Sequence, residues 1–110
     1  QCAAFAKVYD KYETARKTLG QTKFQLLKDY SANYATLTDA KADELAKGTL
    51  KNHIAYEKLY EKTYNEAKKA IGSINAAKFI QLEVYLQTII KAEILEAIPF
   101  IGEIDKTKVK

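Results

Sequence analysis

The sequence predicts an all-α protein of long antiparallel helices, three in number, forming a hairpin or bundle that a second subunit is expected to complete. Three observations predict it. Helix-breaking residues are scarce, with one Pro and four Gly among 110 residues. Apolar residues recur at steps of three and four along most of the chain, the spacing of one helical face. Two short interruptions, at residues 33–38 and at Gly72-Ser73, divide that pattern into three runs. The expected helices cover about residues 3–34, 39–71 and 74–98 of a single domain spanning 1–104, followed by a basic tail at 105–110.

In the first run Phe5, Val8, Tyr12, Ala15, Leu19, Thr22 and Leu26 form a heptad seam. Roughly thirty residues at ~1.5 Å each give a rod of about 45 Å. Such a rod needs a hairpin partner or a second subunit to cover its seam. Gly20 costs about 1 kcal/mol relative to Ala inside a helix, so it marks a local bend or a close helix crossing. Arg16, the only arginine, borders the seam and is expected to pair with Glu13 three residues earlier.

The pattern lapses over 31–38, where Ser, Asn and Thr compete with helical hydrogen bonding, and the chain is expected to turn between Asn33 and Thr38. Thr38 reads as the N-cap of the second helix, with Asp39 and Asp43 at the end where the helix dipole favours negative charge. Along that helix Leu45, Thr49, His53, Tyr56, Tyr60, Tyr64, Ala67 and Ile71 share a face. Its tyrosines can pack their rings while each hydroxyl reaches water, which makes Tyr56, Tyr60 and Tyr64 a candidate protein-binding surface. His53, in the middle of the face, is expected to be a packed core histidine.

Gly72 is the expected C-terminal breaker, with Ser73 or Asn75 capping the third helix, and so short a connection makes helices two and three antiparallel neighbours. The third run is the most apolar stretch of the chain. Phe79, Leu82, Leu86, Ile89, Ile90 and Ala97 fall on one side of it, and Ile80, Val84, Leu95 and Ile98 on another. A buried helix with two neighbours is expected. Between the apolar sides, Glu83, Gln87 and Lys91 are spaced to bond one another as a structural polar ladder. Pro99 ends the helix, and Ile98, Phe100, Ile101 and Ile104 are expected to dock on the protein or a partner, the first three being further candidate protein-binding residues.

Composition narrows the function classes. The net charge is +4, but both signs are interspersed from Lys7 to Lys69, which argues against a nucleic-acid surface. Cys2 is the only cysteine, so no internal disulfide is expected. With a single His and no Met, no metal site or other cofactor is expected. Charged and polar residues interrupt the best apolar run before it reaches the ~18 residues of a membrane span. No nucleophile, base and orienting group can be assembled, Glu83 with His53 being the nearest approach to a catalytic pair, so the reading is not an enzyme. A first residue of Gln rather than Met is read as a processed or trimmed chain.

Three passages together resemble a known family. They are Leu37-Thr38-Asp39-Ala40-Lys41 at a helix start, the Tyr- and Lys-rich second helix ending Lys69-Ala70-Ile71, and Phe79-Ile80-Gln81-Leu82-Glu83 leading to Ala92-Glu93 and Ile98-Pro99. They look like the small exported helical proteins around Spy and CpxP, named for a Leu-Thr-x-x-Gln motif. The resemblance covers roughly residues 5–101. Lys41 stands where the motif has Gln, and one copy of the motif is present. The resemblance implies a periplasmic protein whose signal peptide has been removed, often a cradle-shaped dimer, acting as an ATP-independent chaperone or in envelope-stress signalling.

Residues and resemblance together give the expectation of a non-enzymatic periplasmic binding protein that holds unfolded clients weakly. The alternative is a structural or signalling homodimer module with one dedicated protein partner.

Overall fold

A computed structural model describes the backbone of residues 2–96 and the side chains of residues 3–90. Within them the chain forms three helices, α1 (Cys2–Asn33), α2 (Asp39–Ile71) and α3 (Ser73–Glu96), with one 3-10 turn at Tyr34–Thr36. No strand occurs among the described residues. The expected all-α class and the three-helix division both hold. Ala97, Ile98 and everything beyond lie outside the described residues.

Each boundary has a local cause. The 3-10 turn closes α1, where Asn33 donates its side-chain amide to the Asp29 carbonyl at 2.8 Å. Thr38 then takes an extended backbone, and its Oγ1 accepts from the Lys41 amide at 3.1 Å, which satisfies an orphan donor of the first turn. Gly72 adopts φ 86°, a conformation that strains residues with a Cβ. Its amide bonds to the Lys68 carbonyl while its own carbonyl accepts from Ala76, so a single residue ends α2 and starts α3. That corrects the expected cap: the Asn75 side chain reaches back to the Ile71 carbonyl at 3.3 Å and serves the end of α2.

α1 and α2 run antiparallel along nearly their whole lengths, so a hairpin partner covers the α1 seam. Lys11 meets Glu66 at one end of the pair and Leu26 meets Gly48 at the other. α3 folds back along α2 and lies parallel to α1, giving a body of 52 × 29 × 15 Å. Small residues let the helices approach. Ala67 and Ala76 are fully buried beside the α2–α3 turn, and a Cβ on Gly20 would lie 3.5 Å from the Tyr56 hydroxyl across the α1–α2 crossing.

The core is narrow and largely aromatic. Phe79 of α3 receives Phe5 edge-on at 5.2 Å between ring centroids and also meets Tyr9 and Tyr12. Tyr12 continues the contact to Tyr60, and Tyr60 to Tyr56. Edge-to-face pairs of this kind contribute about 0.5–1.5 kcal/mol each beyond the area they bury. The cluster ties the N-terminal halves of α1 and α3 to the middle of α2.

Two expectations about faces are corrected here. His53 is exposed rather than packed in the core, because the buried stripe of α2 is Leu45, Asn52, Tyr56, Thr63 and Ala67. α3 is not a helix buried between two neighbours. Ile74, Leu82, Val84, Tyr85, Leu86, Ile89 and Ile90 are all exposed, since α1 meets α3 closely only in the stretch around Phe79 and Glu83.

Candidate functional site

Glu83 is the most deeply placed carboxylate of the described chain, and its partners decide what it can do. Tyr12 Oη donates to Glu83 Oε2 at 2.5 Å, Gln87 Nε2 donates at 3.4 Å, and Arg16 Nε lies 3.9 Å away. The polar ladder is therefore real between Glu83 and Gln87, but its strongest bond crosses to α1. The Lys91 side chain lies outside the described residues. Arg16 faces Glu83 rather than Glu13, and Lys17 takes Glu13 at 3.4 Å instead.

Burial first, then the bond to Glu83 and its charge, holds the Tyr12 hydroxyl well above the ordinary phenol range. Tyr60 is pushed up to about 12, again by burial first and then by Tyr56, Glu83 and Glu57. Tyr56 is raised by burial. Each tyrosine is thus a neutral donor at physiological pH. A phenol, an amide and a guanidinium all converge on Oε2 of this buried carboxylate, as in a structural ion-and-hydrogen-bond network. Glu83 is buried against Tyr12, and His53 sits on exposed α2 surface.

The tyrosine surface is divided by the fold. Tyr56 is only 7% exposed, covered in part by Lys23, whose ammonium lies 4.4 Å above the ring centroid. Burial takes it off the expected binding face. Tyr60 and Tyr64 remain half-buried and line an open groove of about 620 Å³ between α2 and α3, together with His53, Ile54 and Ile80. Ile98, Phe100 and Ile101 lie outside the described residues.

The largest apolar exposure is on α3, where Ile74 is 74%, Tyr85 64% and Leu82 58% exposed. At a hundred degrees per residue Ile74, Lys78, Leu82, Tyr85 and Ile89 form one outward stripe. Val84 turns toward the α2 side and Ile90 toward α1. Ile74, Leu82, Tyr85 and Ile89 of the outward stripe expose on the order of 500 Å², the size of a typical monomer's largest apolar patch, which is often an interaction site.

No protein-family model, curated protein or solved structure matches the chain.

Among the described residues no group of three His, Cys, Asp or Glu side chains converges as metal ligands would, and no helix is long and apolar enough to cross a membrane. What the arrangement offers is apolar contact area beside tyrosine hydroxyls and charges. The outward stripe was present in the sequence as the apolarity of the third run, but periodicity alone does not say whether a neighbour covers it. Asn52, buried with its Nδ2 donating to the Leu19 carbonyl at 3.1 Å, carried no sequence signal of its interior position.

Proposed function

We propose that this chain is a non-enzymatic binding protein of the bacterial envelope, holding apolar segments of partly unfolded proteins weakly and without ATP on the exposed face of α3. The observation that carries the reading is that the most apolar helix of the chain keeps Ile74, Leu82, Tyr85 and Ile89 in solvent. Exposed apolar area on this scale marks interaction sites in soluble proteins. Tyr60 and Tyr64 extend the surface into the α2–α3 groove, and the lysine excess favours acidic or mixed-charge clients. The resemblance to the Spy and CpxP group supports the envelope location and the holding role.

The test is light scattering from a denatured, aggregation-prone protein, with and without this one at a few-fold molar excess. Suppression by the native chain, and its loss in a folded Leu82→Ser/Tyr85→Ser/Ile89→Ser variant, is the expected result. Equal suppression by that variant would place the surface elsewhere.

A second reading rests on the spacing of the same stripe. Lys78, Leu82, Tyr85 and Ile89 follow the four-three-four steps of a helix-pairing seam, which suits a homodimer or one dedicated helical partner. In that case the chain suppresses no aggregation at any ratio, while light scattering of the pure protein gives twice the monomer mass or pull-down returns one stoichiometric partner.

A further inference from the structure

On the opposite flank of α3 from the groove, a second opening of about 560 Å³ separates α1 from the C-terminal half of α3. Its size falls within the ~300–1,000 Å³ of small-molecule sites. Three cations line it, Arg16, Lys17 and Lys23, and none of its described lining residues is acidic. The carboxylates that face Arg16 and Lys17, Glu83 and Glu13, are not among those lining residues. The wall is apolar on both helices, with Phe24 of α1 56% exposed and Ile90 of α3 45% exposed. Tyr56 and Gln87 complete it and also line a smaller opening of about 250 Å³ toward α2.

We propose that this cleft binds a long-chain carboxylate, its head group against Arg16 and Lys23 and its alkyl tail between Phe24 and Ile90. Charge complementarity selects the head group. A guanidinium offers a planar fork that matches a carboxylate, and a cation-lined recess with apolar walls strengthens that contact over one made in open water. Glu83 and Glu13 already offset part of the charge of Arg16 and Lys17, which disfavours a dianionic head group. The apolar walls select the tail, since a short carboxylate would leave Phe24 and Ile90 wet. The site is separate from the outward stripe of α3, so it stands whether or not the chain holds unfolded clients.

The experiment is isothermal titration calorimetry of the full chain at pH 7.5 with submicellar dodecanoate, dodecanol, dodecylamine, dodecyl phosphate and acetate. Dodecanoate is expected to bind at least about tenfold more tightly than each of the others, the worth of one charge-assisted hydrogen bond or more. Arg16→Gln is expected to weaken dodecanoate about tenfold and leave dodecanol unchanged. Because Arg16 also touches Glu83, a second variant, Gln21→Glu, places a negative charge on an exposed lining residue and is expected to weaken dodecanoate without altering the fold. Lys47→Gln, outside the cleft and paired with Asp43, is expected to change nothing. Equal affinity for dodecanoate, dodecanol and dodecylamine overturns the proposal, as does no dodecanoate binding at all. Tighter binding of dodecyl phosphate overturns the head-group assignment, and insensitivity to both cleft variants overturns the location.

Discussion

Replacing Tyr12 by Phe removes one oxygen atom and tests what holds Glu83 in the interior. Tyr12 is 1% exposed and Glu83 9% exposed, so neither group recovers much water when its partner is lost. The remaining contacts of Glu83 are long, 3.4 Å to Gln87 and 3.9 Å to Arg16. A hydrogen bond to a charged group contributes about 1.5–3 kcal/mol net, and here the loss also strands most of a carboxylate's hydration deficit. Tyr12→Phe is therefore expected to lower the unfolding free energy by about 2 kcal/mol, or the melting temperature by roughly 8–16 °C at about 4–8 °C per kcal/mol for a domain of this size. Urea unfolding followed by far-UV circular dichroism at pH 7 measures it directly. The companion variant is Tyr12→Phe/Glu83→Leu, which removes both partners and fills the space with apolar atoms. It is expected to recover at least half of the loss, because stranding one partner costs more than removing two. A Tyr12→Phe protein within 0.5 kcal/mol of the native chain, that limit being the usual scatter of a neutral substitution, would refute the view that this bond holds Glu83 in place. So would a double variant much weaker than the single one.

The glycines divide in sign. Gly20→Ala is expected to stabilise by about 0.5–1 kcal/mol, since a Cβ there meets only ordinary contact with the Tyr56 hydroxyl at 3.5 Å. Gly72→Ala is expected to destabilise by about 1–2 kcal/mol, because φ 86° strains a residue with a Cβ even though the space is open. Both shifts are read in the same urea titration. Tyr60 gives a pH dependence: its folded pKa of about 12 lies above the ordinary value of 10, so the stability it contributes is complete below pH 10 and is lost as pH rises from 10 through 12. Tyr60→Phe is expected to flatten that part of the alkaline unfolding curve, and a native and a variant curve that stay parallel from pH 10 to 12 would contradict it.

Much of the fold was legible because helix ends are governed by single residues. Thr38 and Gly72 act within one turn of themselves, so sequence suffices to place them. Faces were less legible. The tyrosine-centred face expected of α2 is rotated by about 50° from the one that is buried, about half of one residue step. The rotation turns His53 outward and brings Asn52 and Thr63 in. Apolarity ranks Tyr above Asn, but helices that approach closely need short side chains at the crossing, and Asn52 and Thr63 are short. Partners across helices were not legible at all. Arg16 has Glu13 within reach along its own helix, yet the fold brings Glu83 to it from 67 residues further along the chain. The exposure of α3 was equally hidden, since a second apolar side reads the same whether a neighbour is present or not.

Asn52 has a consequence for how the long hairpin is aligned. A seam repeating every seven residues offers nearly equivalent apolar contact when one helix slides past the other by two turns, so apolar burial alone fixes the alignment of α1 on α2 poorly. The buried Asn52 amide, whose acceptor lies beside the close approach of Gly20 to Tyr56, removes that degeneracy. In the observed alignment its Nδ2 donates to the Leu19 carbonyl while Oδ1 has no partner among the described residues. A slide of one heptad would carry the amide from Leu19 to Tyr12 or Leu26, where a backbone carbonyl is again present but the neighbouring residue that must face Tyr56 is Glu13 or Leu27 in place of Gly20. A polar residue that adds little cohesion thus chooses among alignments that cohesion cannot distinguish. Asn52→Leu should leave the hairpin as helical as before while allowing α1 to occupy more than one position along α2.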